Sequence, residues 1–66
     1  MNIEGYAIYR AKDGHWLSDD EKTFTPDFSE AVLFTETGSD LALEKFHEHN
    51  LNNDNGALYV MALCIA

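Results

Sequence analysis

The chain has 66 residues, 45% hydrophobic and 12% aromatic, which is too apolar for a disordered segment and long enough for one domain, 1–66. Twelve acidic residues against four basic ones give a net charge of −8, which opposes bare nucleic acid or an anionic membrane and permits a basic protein surface as partner. Cys64 is the one cysteine, so an internal disulfide is excluded; a domain this small buries only about 60% of its unfolded surface and is expected to need very good packing or a partner.

Residues 3–11 (IEGYAIYRA) alternate on a strand, with Tyr6, Ile8 and Arg10 on one face and Ala7, Tyr9 and Ala11 on the other. Asn2, Glu4 and Arg10 interrupt any apolar run here, so no signal peptide is expected and a cytosolic location is. Asp13-Gly14 is a hairpin signal. A two-residue turn there pairs Lys12 with His15 and Ala11 with Trp16, and the second strand runs over residues 15–18. Asp19, Asp20, Glu21 and Lys22 form a charged connection. Thr25-Pro26 then predicts a helix start, with Thr25 as N-cap, over a single turn at residues 26–31. Phe28 and Ala31, three apart, are expected to face the core. Residues 32–35 (VLFT) are predicted as the third strand.

Ser39 is a good N-cap for a helix over residues 40–50, with Leu43 and Phe46 as the core stripe, Ala42 beside them and Leu51 closing the end. Five turn-forming residues, Asn52 to Gly56, stop it. The last ten, ALYVMALCIA, are predicted as a strand apolar on both faces. Leu58, Val60, Ala62 and Cys64 fall on one face, Tyr59, Met61, Leu63 and Ile65 on the other. Such a strand is expected in the middle of a sheet or under a partner, and a ten-residue run is too short to span a bilayer as a helix. The order β-β-β-α-β predicts the α+β class: an antiparallel sheet of about four strands with one helix packed on one face.

Catalytic and metal motifs are absent from the sequence. Ser18, Ser29 and Ser39 lie in no nucleophile elbow, and Cys64 sits in the most apolar segment, where a thiol behaves as a small inert hydrophobe. His47 and His49 point about 200° apart on a helix and cannot share an ion. The expectation is no enzyme activity, no cofactor and solvated histidines. The helix is more informative. Asp40, Glu44 and Glu48 recur every four residues, each like-charge pair costing about 0.2–0.5 kcal/mol in isolation. Their step of ~6 Å along the axis suits a basic groove built for a phosphate backbone. Of eight aromatics, five or six fill a core of this size, and Tyr9, Trp16 and Phe24 near the hairpin are the candidates for a partner contact.

About half the chain carries a further pattern: Tyr6 to Tyr9, Asp13-Gly14-His15-Trp16, Phe24-Thr25-Pro26, Glu30-Ala31 and Phe34. An aromatic hairpin around an acidic-Gly turn, a Thr-Pro turn carrying Glu-Ala, a short strand and a helix resemble very small phage and prophage accessory proteins. Inhibitors of host defence, anti-CRISPR proteins among them, look similar in size and acidity. That resemblance implies a non-enzymatic inhibitor binding a basic surface of a host nucleic-acid-handling complex, and it assigns no residue. From charge and exposure, Asp19, Asp20, Glu21, Asp40, Glu44 and Glu48 are the expected charge complements, with Trp16 as anchor. The alternative is a structural or regulatory homodimer assembled through the apolar last strand.

Overall fold

The computed structural model describes residues 2–35 and 38–65. Four strands, β1 (Asn2–Arg10), β2 (His15–Leu17), β3 (Phe24–Thr25) and β4 (Leu58–Ile65), make one antiparallel sheet in the order β3-β2-β1-β4. One helix, α1 (Ser39–Asn50), packs on β1 and β4, so the protein is a small α+β domain, as the element order predicts. Short 3₁₀ turns at Phe28–Glu30 and Asn53–Asn55 lead into and out of the helical half. Among the described residues no helix is long and apolar enough to cross a membrane.

The alternation expected of the first strand is realised. Ile8, Leu17, Phe34 and Ala42 form the buried core, with Tyr6, Phe24, Val32, Phe46 and Val60 packed against it. Cross-strand partners share a face. Ile8 lies opposite Val60 and Tyr6 opposite Ala62, so the even-numbered row of β4 belongs to the helix side. Tyr59 and Met61, opposite Tyr9 and Ala7, belong to the open side.

The hairpin register differs from the expected one by two residues. Arg10 pairs with His15 and Tyr9 with Trp16, leaving a four-residue loop. A two-residue turn of the favoured kind needs positive φ at both Asp13 and Gly14, and only Gly14, at +72°, has it. The Asp13 carboxylate instead accepts two hydrogen bonds from the Arg10 guanidinium, at 3.0 and 2.6 Å, and one from the His15 N–H at 3.2 Å. A two-residue shift preserves the faces, which is why the core expectation survives it.

The third strand is Phe24–Thr25, and not residues 32–35. The later segment is fastened at single points: Val32 N–H donates to the Leu17 carbonyl (2.9 Å), and Tyr6 and Phe34 exchange hydrogen bonds of 2.6 and 2.8 Å. That crossing depends on Gly5, where a Cβ would lie 2.8 Å from the Phe34 carbonyl oxygen. The Phe28–Glu30 turn is capped by Asp27 rather than Thr25. Thr25 braces it from β3, accepting from Asp27 N–H and donating to Glu30 Oε2, both at 3.1 Å. Phe28 faces away from the core and is exposed.

Helix α1 begins at Ser39 with Gly38 at the N-cap, one residue before the expected cap. It meets the sheet through buried Ala42 and half-buried Phe46 and His49, spaced four and three apart on one face. Leu43, 48% exposed, and Leu51, 85% exposed, are outside the core. Small Ala42 lets the helix sit close to the strands, and its neighbour Leu43, rotated by ~100°, is carried past the contact line. Strand β4 is an edge strand, which corrects the expectation of a central position. Cys64, near its end, is exposed rather than buried.

Candidate functional site

The helix presents Asp40, Glu44 and Glu48 on its outer side, all exposed. Successive residues four apart drift by ~40°, so the three carboxylates follow one shallow stripe. Lys45 reaches Glu48 at 3.3 Å, an exposed pair of small energetic weight. Asp40 in the first turn is favourably placed for the helix dipole. Glu48, near the negative end, is not, and the stripe also repels itself. The stripe therefore costs stability along most of its length.

The second acidic group comes to the C-terminal end of the same helix. The half-buried His49 sits with its Nε2 3.1 Å from the Glu21 carbonyl oxygen and its ring edge-on to Phe24, centroids 5.5 Å apart. The loop of Asp19, Asp20 and Glu21 is thereby held beside the last turn of α1. His49 is thus a strut and not the solvated residue expected, and His15 is half-buried between Arg10 and Asp13. His47 is exposed.

Within the loop the three acids differ. Asp20 accepts from Thr23 N–H (2.9 Å), Lys22 N–H (2.8 Å) and the Thr23 hydroxyl (2.9 Å), and these bonds hold its pKa below the ordinary carboxylate value. Its carboxylate shapes the turn. Glu21 has φ of 60°, a left-handed conformation that costs a non-glycine residue about 1 kcal/mol. Asp19 and Asp20 are exposed and Glu21 half-buried.

Trp16 lies elsewhere. It belongs to the open face of the sheet, its ring 4.8 Å from Tyr9 on one side and 4.8 Å from Phe28 on the other. The structure thus brings the acidic loop and the acidic helix together and places Trp16 across the sheet from both. Phe24 is on the helix side, under the Arg10 guanidinium at 4.2 Å from the ring centroid, and is not an open anchor. Sequence reasoning missed Phe28 and Tyr59 as members of the open aromatic face. The odd-numbered row of the last strand was the available signal for Tyr59. For Phe28 the spacing to Ala31 pointed to the core, but a 3₁₀ turn has no fixed inner face.

Arg10 and Lys12 are taken up at the hairpin end. Arg10 holds Asp13 and donates to Asn55 Oδ1 at 3.1 Å, and Lys12 Nζ donates to the Asp54 carbonyl. Among the described residues no group of three or more His, Cys, Asp or Glu could hold a metal ion. No known family model matches the chain, and neither a curated protein nor a solved structure was found similar to it.

Proposed function

We propose that this chain is a non-enzymatic inhibitor that docks its acidic helix side on a basic surface of a nucleic-acid-handling complex in the cytosol of a host cell. Phage-borne inhibitors of CRISPR effectors are the kind of protein meant. The observation that carries the reading is the exposed stripe of Asp40, Glu44 and Glu48, with the loop of Asp19 to Glu21 held beside the last turn of the same helix. Like charges in line, one of them at the wrong end of a helix, reduce stability, so their use lies outside the fold. Against a basic groove the same row gains from complementary potential and speeds encounter.

The test is a pair of captures from a bacterial lysate, one on immobilised wild-type chain and one on E44K/E48K. The expected result is a nucleic-acid-binding complex retained by the wild type, released by duplex DNA, and not retained by the charge-reversed variant. Equal retention by both chains, or release that ignores DNA, overturns the proposal.

A further inference from the structure

The outer edge of β4 is open to another strand. Tyr6 exchanges its hydrogen bonds with Phe34, on the side of β1 away from β4. Backbone groups alternate along a strand, so Ala7 and Tyr9 direct theirs at β4, and their partners Met61 and Tyr59 return them. Ala11 N–H, bonded to the Ala57 carbonyl at 3.1 Å, continues that alternation. The N–H and C=O of Val60 and Ala62 therefore point outward, and no described residue bonds to them.

Edges are normally protected by a charge, a proline or a bulge on the exposed strand. The sequence of β4, LYVMALCI, has no charge and no proline. The irregularity in its pairing lies between Ile3 and Gly5, on the inner partner. Exposed Tyr59 and Met61 extend an apolar surface up to this edge.

We infer that β4 pairs antiparallel with β4 of a second copy, about a two-fold axis through Met61. A second copy suits this edge because pairing β4 with itself brings no like charges into the seam, although each chain carries −8, and sets aromatic and aliphatic side chains against one another along eight residues. The two-fold also satisfies the hydrogen bonds. With Met61 facing its own copy, Val60 meets Ala62 of the other chain, and both residues point their backbone groups across the seam. Tyr59 then lies against Leu63 of the other copy, and the half-open apolar row is partly covered. Two four-stranded sheets become one of eight strands. An axis normal to the sheet keeps faces on the same side, so both acidic helices lie on one side of the dimer. This inference is independent of the inhibitor reading and holds if that reading fails.

Sedimentation of the full chain at micromolar concentration is expected to give a dimer of two 7.5 kDa chains. Ala62→Pro removes only an outward N–H, a position where proline is tolerated in an edge strand. It is expected to weaken association by about tenfold to a hundredfold, since two seam bonds are lost by symmetry, while circular dichroism stays that of the folded chain. Met61→Cys in a C64S background gives an independent reading that fixes the register. A directly opposed pair with Cα atoms about 4.5 Å apart is within disulfide range, so air oxidation is expected to link the two copies. A monomer at all micromolar concentrations overturns the inference. So does an A62P chain that dimerises like the wild type, or M61C/C64S that dimerises without cross-linking.

Discussion

Gly5 and Asp20 show how single residues hold this domain in shape. Gly5 has no side chain because the Phe34 carbonyl crosses it, and a methyl there would sit 2.8 Å from that oxygen. Gly5→Ala must push residue 34 away from Tyr6, breaking or stretching both of their hydrogen bonds. We expect a loss of about 1–3 kcal/mol in urea unfolding, against a gain of a few tenths for an ordinary Gly→Ala change in a strand. Asp20 is held below its ordinary pKa of 3.8 by two backbone N–H donors and a hydroxyl. Asp13, through Arg10, and Asp27, through the Ser29 hydroxyl and N–H, are depressed in the same direction. A depressed carboxylate stabilises the fold above its unfolded pKa, and that contribution disappears as pH falls through the lower, folded value. Stability should thus be level in this respect down to about pH 4 and decline below it. Asp20→Asn should flatten part of that acid decline, a comparison that denaturant midpoints at pH 6 and pH 3 would settle. An unchanged slope would mean that the Asp20 bonds carry no linkage.

At the scale of elements, the helix and the sheet meet through few large side chains. Leu17 is fully buried, whereas Leu43, a residue of the same type on the helix, is half exposed. Leu17→Ala should cost about 2–5 kcal/mol and Leu43→Ala under about 1 kcal/mol, a contrast that urea midpoints read directly. From the sequence, Leu43 belonged to the core, because its spacing to Phe46 fits a helical stripe. The structure keeps Phe46, puts Ala42 rather than Leu43 at the buried centre and adds His49, and a small residue gives no hydrophobic signal of its own. The hairpin was legible in Asp13-Gly14, but its register was not, since the bidentate Arg10–Asp13 pair that sets the loop forms only in three dimensions. The third strand was misplaced for a related reason. Val32 to Phe34 has strand composition, yet the place beside β2 is filled by Phe24 and Thr25, which arrive first in the chain. The α+β class and the two faces of β1 and β4 were legible, because period-two alternation survives shifts of an even number of residues. The acidic residues were equally legible. The placing of the acidic loop beside the last turn of α1 was not, as it rests on His49 reaching the Glu21 carbonyl.

The whole molecule has three distinct surfaces. The acidic helix and loop occupy one side, Tyr9, Trp16 and Phe28 the other, and β4 forms a free edge between them. Pairing along that edge would place two acidic sides together, so one dimer could engage a basic surface at two points and gain by linkage between them. The charge on the helix side is the part of the account from which the proposed function follows. Exposed charges act across water, and their attraction shrinks as the Debye length falls from about 14 Å at 50 mM salt to about 6 Å at 300 mM. The measurement that tests it most directly is the dissociation constant of the captured complex for this chain across that range of salt. The account predicts affinity falling steeply with added salt, with E44K/E48K weak throughout and still folded by circular dichroism. An affinity that stays level with salt, and is equal for the wild type and E44K/E48K, would contradict it and assign the contact to the aromatic face.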